Sequence, residues 1–314
     1  MIFLEHHKVA AIRETRPVEF IRTTGARTSN VFAWLPIIIL PATAILLVNS
    51  LQPWVFMWAI SFALFFGCKW LTWWQDRRSG TPIWRNLAYL FAWPGMDATE
   101  FLNAEPRTPR PPLLSWLKAV LRTLFGIWLL WGLTPVVPAA WFLVKGWTGM
   151  TGVVFILHFG TFDLLALGWQ TLGVNATPLM NAPILSTSLA EFWGHRWNTA
   201  FNRIAHDLVF RPLYRRMGAA GATLMTFLAS GLVHDLILSV PARAGYGLPT
   251  AYFLLQGTGL LWERTRFGRK FISHRAGRGR LFTLVLTAIP AFWLFHPAFI
   301  RNVILPMLQA IGAN

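Results

Sequence analysis

Beyond residue 30 the chain is built of long, continuously apolar runs separated by short polar or basic stretches. Crossing a bilayer takes about 20 mainly apolar residues. The runs predict spans at Val31–Val48, Trp54–Trp70, Ala119–Trp141, Met150–Trp169, Met217–Val240, Pro249–Trp262 and Leu281–Phe295, with a short further one after Pro297 that Pro306 interrupts. Ile83–Met96 is apolar but short, ends in Pro94-Gly95, and has basic residues on both sides: Arg77, Arg78 and Arg85 before or within it, and Arg107, Arg110 and Lys118 after it. Two flanks of the same kind mean it has not crossed, so it reads as a re-entrant or interfacial helix followed by a proline-rich loop through Pro112. Continuous rather than alternating apolarity disfavours a strand-built barrel. The expectation is therefore all-α: a polytopic membrane helix bundle of about 7–8 transmembrane helices plus re-entrant or interfacial helices. Without an internal repeat, residues 31–314 read as one membrane-embedded domain preceded by a cytoplasmic segment, 1–30.

The charged residues orient these spans. Arg13, Arg16, Arg22, Arg27 and Lys8 precede the first span, and Lys69, Arg77, Arg78 and Arg85 follow or close the second. Basic loops stay on the cytoplasmic side, which puts Gln170–Arg216 and the block from Arg264 to Arg280 inside. Asn49–Pro53, the loop carrying Lys145, and Ala242–Leu248 with its single Arg243 fall outside. The chain carries a net charge of +16, yet its basic residues lie in short blocks between apolar spans, a pattern that suits topology and anionic lipid rather than nucleic acid. With 55% apolar and 13% charged residues, 18 Trp and 25 Phe, the composition fits an integral multi-pass membrane protein. The excess of Arg over Lys points to a GC-rich genome and a bacterial cytoplasmic membrane. A lone Cys68 excludes an internal disulfide and a cysteine-based zinc cage, and the chain carries no phosphate-binding loop, H-E-x-x-H pair or G-x-S-x-G elbow.

Two segments carry candidate chemistry. In Ser188-Leu189-Ala190-Glu191-Phe192-Trp193-Gly194-His195-Arg196-Trp197-Asn198, a helical reading places Glu191, His195, Asn198 and Asn202 on one stripe, with Phe192, Trp193 and Trp197 as an interfacial body. An anchoring surface helix gives the same pattern. In Phe227-Leu228-Ala229-Ser230-Gly231-Leu232-Val233-His234-Asp235-Leu236, His234 lies deep in a span, where an ionisable group is costly and normally faces a cavity or partner. A neutral imidazole bridging two helices is the structural alternative. Ser230 sits one turn before His234. Its hydroxyl either meets the imidazole or bonds its own preceding turn. Asp235 lies about 100° away on the helix, either orienting the ring through a bend or facing another helix.

These residues resemble a known family. Phe192-Trp193-Gly194-His195-Arg196-Trp197-Asn198 and Ser230-Gly231-Leu232-Val233-His234-Asp235 look like the two signatures of membrane-bound O-acyltransferases, and the wax-synthase-like branch is the nearest in pattern, related to the diacylglycerol and sterol enzymes. Pro94-Gly95-Met96-Asp97, Arg211-Pro212-Leu213-Tyr214 and Pro241 fit the same pattern, over roughly residues 80 to 300. Asn198 stands where many wax-synthase-like members carry histidine and resembles the sterol and diacylglycerol branches there. The resemblance implies transfer of a fatty acyl group from acyl-CoA, as co-substrate, to a lipophilic hydroxyl such as a long-chain alcohol, with no resident cofactor or metal. His234 would act as general base and Asn198 would hold the thioester carbonyl or the acceptor. Glu191, Trp193, His195, Arg196, Trp197, Ser230 and Asp235 would line the substrates. Arg196, Arg203, Arg211, Arg215 and Arg216 would meet either coenzyme A phosphates or lipid headgroups. Three competing readings are a proton-coupled transporter using His158, Asp163, His234 and Asp235, a di-metal oxygenase, for which His195, His206 and His234 are too dispersed, and an acyltransferase-like scaffold without activity.

Overall fold

The computed structural model describes residues 31–77, 79–103, 109–273 and 276–314. The 1–30 segment, Arg78, Arg107 and Arg275, on which part of the charge reading rests, lie outside the described residues. All regular structure among the described residues is helical. Helices α1 (Val31–Leu46) and α2 (Pro53–Asp76) form an antiparallel pair, with a proline at the first position of α2, where its missing N–H costs nothing. The short α3 (Ile83–Ala92) and α4 (Ala98–Leu102) follow, the latter capped by the Asp97 carboxylate accepting the Glu100 amide at 2.9 Å. At 10 residues α3 is too short to cross, in line with an interfacial or re-entrant element.

Next come α5 (Leu113–Ile127), prolonged by a π turn and a 3₁₀ turn to Val136, and α6 (Phe142–Val154), which runs through a π segment into α7 (Phe162–Thr171). An irregular stretch holds α8 (Leu189–Glu191) and its π continuation Phe192–Arg196. Helix α9 (Asn202–Ala205) leads through a further π turn into α10 (Arg211–His234), which a π turn Asp235–Ser239 connects to α11 (Val240–Ala242). Gly218, at φ 69°, breaks α10 near its start, a conformation that costs a residue without a Cβ little. Then follow α12 (Leu248–Glu263), α13 (Arg266–Ser273), α14 (Ala276–Ala288), α15 (Ala291–Leu294), α16 (Pro297–Phe299) and α17 (Leu305–Ala310).

Among the described residues four helical stretches are long and apolar enough to cross a membrane: Pro53–Asp76, Leu113–Val136, Ala139–Thr171 and Asn202–Ala242. A fifth arises if Gly277–Leu294 and Pro297–Ala310, bent by 56°, count as one span. The expected seven to eight are not confirmed by this measure, because α1 and α12 have 16 residues each. At 1.5 Å per residue each is only about 24 Å long, short of the hydrocarbon thickness. The final stretch is not a separate lipid-facing span either: Ile300, Val303, Ile304 and Leu308 are buried in the main core. Lys145, expected in an outer loop, instead lies buried inside α6, because the apolar residues around it let the helix start well before Met150. Arg122 also sits well inside its helical stretch, Leu113–Val136. Large apolar side chains such as Ile38, Phe62, Leu121, Leu124 and Leu281 point outward, as a bilayer-covered surface requires.

The main core gathers Met57, Leu130, Met150, Leu238, Phe253, Phe299 and Leu308, with Trp193 and Phe227 packed against its margin. Both motif segments thus meet one core. Their relation to the rest of the chain follows from α12: its C-terminal Glu263 binds the Leu189 amide, so Leu189 and Arg264 lie at the same end of that helix. Single cysteines in a Cys68→Ala background should therefore label from one face at Leu185→Cys and Arg264→Cys, and from the opposite face at Tyr246→Cys. Labelling of the first two from opposite faces would refute the orientation.

Candidate active site

His234 closes α10. Its Nδ1 lies 2.7 Å from the Ser230 carbonyl oxygen. A carbonyl can only accept, so in the neutral ring Nδ1 carries the hydrogen and Nε2 holds the free lone pair. Ser230 thus contributes its backbone oxygen, one turn back, rather than its hydroxyl. The Phe253 ring from α12 lies 4.4 Å from the imidazole, centroid to centroid. Gly231 admits this neighbour, since a Cβ there would stand 2.6 Å from Thr250 Cα.

Asp235 faces α12 and not the imidazole. Its Oδ1 accepts the Gly247 amide at 2.8 Å and the Ser239 hydroxyl at 2.9 Å, while Oδ2 accepts the Thr250 amide at 3.1 Å and the Thr250 hydroxyl. Of the two roles its spacing allowed, the structure shows the contact with another helix.

The first segment departs from a regular helix. Ser188 accepts the Glu191 amide at 3.0 Å and Glu191 Oε2 accepts the Thr187 amide at 2.7 Å, a reciprocal cap that starts α8. The π continuation then ends when the Trp197 amide bonds the Phe192 carbonyl, and Asn198 takes a left-handed conformation at φ 41°. The stripe through Glu191, His195, Asn198 and Asn202 is therefore not formed: a wide turn and a backbone reversal replace the 3.6-residue period. The Asn198 amide donates to Met180 Sδ at 3.2 Å, and its carboxamide has no hydrogen-bonding partner among the described residues. Asn202 Nδ2 instead donates to the Gly194 carbonyl at 2.9 Å.

Glu191 and Arg196 are committed to each other and to this loop. Arg196 Nε donates to Glu191 Oε1 at 2.7 Å, and its Nη1 donates to the Asn181 carbonyl at 3.0 Å. The Thr187 amide, followed by the Arg196 and Thr187 side chains, holds the Glu191 carboxyl below the usual carboxylate range. Trp197 stacks on Phe192 at 5.7 Å, whereas Trp193 reaches Phe227 at 5.9 Å and Phe253 at 5.6 Å. Phe253 therefore touches both Trp193 and His234 and joins the two segments.

Beside the first segment opens a cleft of about 860 Å³, lined in part by Arg110, Lys118, Arg122, His195 and Arg203. It reaches the motif at Gly194 and His195 and includes Met180, but neither Asn198 nor His234 lines it. Arg122 is paired with Asp163 at 2.8 Å, and Arg203 with Asp76 at 2.9 Å and Asp97 at 2.7 Å. Arg211, Arg215 and Arg216 are exposed at the start of α10 and do not line the cleft. Residues 176–255, which include both motif segments, Phe253 and the His195 and Arg203 part of the cleft lining, match the model of the membrane bound O-acyl transferase family.

Over that segment the chain is similar to the membrane bound O-acyl transferase family. Among similar proteins are a probable long-chain-alcohol O-fatty-acyltransferase 9 of Arabidopsis thaliana, 32% identical over 42% of this chain and 43% of its own. The long-chain-alcohol O-fatty-acyltransferase of Simmondsia chinensis is 32% identical over 48% of this chain and 47% of its own. Acyl-CoA–sterol O-acyltransferase 1 of Arabidopsis thaliana is 32% identical over 43% of this chain and 44% of its own. The chain spans less than half the length of each of these relatives.

Within the family segment, the structure brings Trp193, Ser230 and His234 into one neighbourhood, leaves His195 at the cleft, and engages Glu191, Arg196 and Asp235 in structural bonds. The transporter relay finds no continuous hydrogen-bonded path among the described residues, since Asp163 pairs with Arg122 and Asp235 with α12. Sequence reasoning passed over Phe253, Gln256 and Glu263. Gln256 is fully buried, accepts Trp193 Nε1–H at 3.3 Å and donates to the Leu286 carbonyl at 2.7 Å. Polar residues inside an apolar run were the available signal for Gln256 and Glu263, and the Ser188-x-x-Glu191 spacing announced the cap.

Proposed function

We propose that this protein transfers a fatty acyl group from acyl-CoA to the hydroxyl of a lipophilic acceptor, with a long-chain alcohol as the preferred one and a wax ester as product. The observation that carries the reading is the hydrogen bonding of His234, whose Nδ1–H is spent on the Ser230 carbonyl so that Nε2 keeps the free lone pair of a base. In the reaction the acceptor hydroxyl gives its proton to Nε2 while its oxygen attacks the thioester carbonyl. The tetrahedral intermediate collapses, the C–S bond breaks, and the imidazolium returns the proton to the departing coenzyme A sulfur. Because the ring is neutral at the start and end, no charge has to be buried between turnovers.

Asn198, with an uncommitted carboxamide, is assigned to hold the thioester carbonyl or the acceptor. The polyanionic head of coenzyme A would occupy the cationic cleft, where His195, Arg110 and Lys118 supply donors beside the ion-paired Arg122 and Arg203. The matched relatives named for long-chain alcohols outweigh the single sterol enzyme reported above, which supports an alcohol acceptor. Residence in a bacterial cytoplasmic membrane rests on the Arg-rich composition alone, and the matched relatives are plant proteins.

The test is turnover of purified protein with labelled long-chain acyl-CoA and separate long-chain alcohols, diacylglycerols and sterols. Ester formation favouring the alcohol is expected. Hydrolysis of the thioester without ester from any acceptor would overturn the proposal.

A further inference from the structure

Helix α12 is tied at each end to a different motif by a carboxylate. At its N-terminus the first amides of any helix lack intrahelical partners, and Gly247, in the capping position, has no side chain to supply one. Asp235 supplies the cap from the neighbouring helix through the Gly247 and Thr250 amides and the Thr250 hydroxyl. A carboxylate there also meets the positive end of the helix dipole. At the opposite end Glu263, the last residue of α12 and only 6% exposed, accepts the Leu189 amide at 2.6 Å and the Ala190 amide at 3.2 Å. Those are opening amides of α8, which leads directly into Phe192–Arg196. Each motif is thus fastened to α12 through orphan amides and a buried or half-buried acid.

Between the two ties α12 presents Phe253 to both His234 and Trp193, and Gln256 to Trp193. A 16-residue helix is stiff along its axis, so its two ends fix how far apart the tied segments lie. We propose that α12 is the spacer that sets the first motif against His234, with Asp235 and Glu263 as its positioning residues. The kinetic consequence rests on the acyl-transfer reading, but the two ties do not.

The experiment compares Glu263→Leu, Glu263→Gln and Asp235→Asn with the parent in full-length protein. Two readouts are taken: amide hydrogen exchange at Leu189 and Ala190, and kcat and KM for acyl transfer measured separately. Glu263→Leu should speed exchange at both amides and lower kcat about 10–100-fold, the scale of a small misplacement of reacting groups, with KM for acyl-CoA little changed. Glu263→Gln keeps one acceptor oxygen, so it should protect one of the two amides and recover most of kcat. Asp235→Asn should lower kcat in the same way without altering exchange at Leu189. Combined with His234→Ala, Glu263→Leu should cost clearly less than in the parent, because part of its effect acts through that imidazole.

Equal rate losses in both backgrounds would reduce Glu263 to a stability role and overturn the proposal, as would an unchanged kcat in folded Glu263→Leu. Should the leucine variant fail to fold, unaltered exchange at both amides in Glu263→Gln overturns the tie. A parent protein that makes no ester with any acceptor sinks the acyl-transfer reading instead, and the exchange measurements still decide whether Glu263 caps α8.

Discussion

His234→Ala should lower the chemical step by about 10²–10⁴-fold, the contribution of a well-placed general base, while acyl-CoA binding and folding are retained. The retained fold follows from what the side chain touches. Its hydrogen bond reaches one turn back along its own helix to the Ser230 carbonyl, and its only aromatic neighbour among the described residues is Phe253. The first is local to α10 and the second is a single ring contact with α12, unlike the hydrogen bonds by which Asp235 caps that helix. Retained binding follows from the separation of the cationic cleft, which His234 does not line. His234→Gln sharpens the test, because a carboxamide can still donate toward Ser230 but cannot take up a proton near neutral pH. Single-turnover transfer with a saturating labelled acyl-CoA reads the step directly. Near-parental transfer by a folded glutamine variant would end the base assignment.

Much of the helical architecture was legible in the apolar runs, and the failures have physical causes. The long α2 and α10 lie where continuous apolarity places them, since no other structure satisfies their backbone within a bilayer. Lys145 misled because charge marks loops only on average, and a single lysine among apolar neighbours can be carried inside a helix. The intramembrane histidine stood out by its cost at that depth. The partner of Asp235 was invisible, because the groups it caps lie at Gly247 and Thr250, beyond a turn whose direction local spacing does not encode. The stripe through Glu191 and Asn198 assumed a uniform 3.6-residue period, and the π turn after Glu191 removes it. Phe253 carried no signal at all: one more phenylalanine in an apolar run becomes the contact between two motifs only when α12 packs between them.

The conformation of Asn198 offers a second reason for its identity, beside the assigned chemistry. At φ 41° it occupies the left-handed region, where asparagine and glycine are the residues best tolerated. Asparagine would therefore suit this position even if its carboxamide did nothing. The same geometry provides the means to separate the two roles. Asn198→Gly preserves the backbone preference and removes the carboxamide, whereas Asn198→Ala removes both. If the carboxamide holds the thioester or the acceptor, both variants should lose about 2–4 kcal/mol of transition-state stabilisation, by analogy with a lost oxyanion donor. The glycine variant should do so at nearly parental thermal stability. Asn198→His should keep part of the activity if the imidazole can donate in the carboxamide's place, since many members of the wax-synthase-like branch that this segment resembles carry histidine there. If the residue serves only the chain reversal after Trp197, glycine should transfer acyl groups normally and alanine should fail through lost stability alone. Melting temperature and single-turnover transfer, measured on the same preparations, distinguish the outcomes, and full activity in Asn198→Gly would remove Asn198 from the reaction.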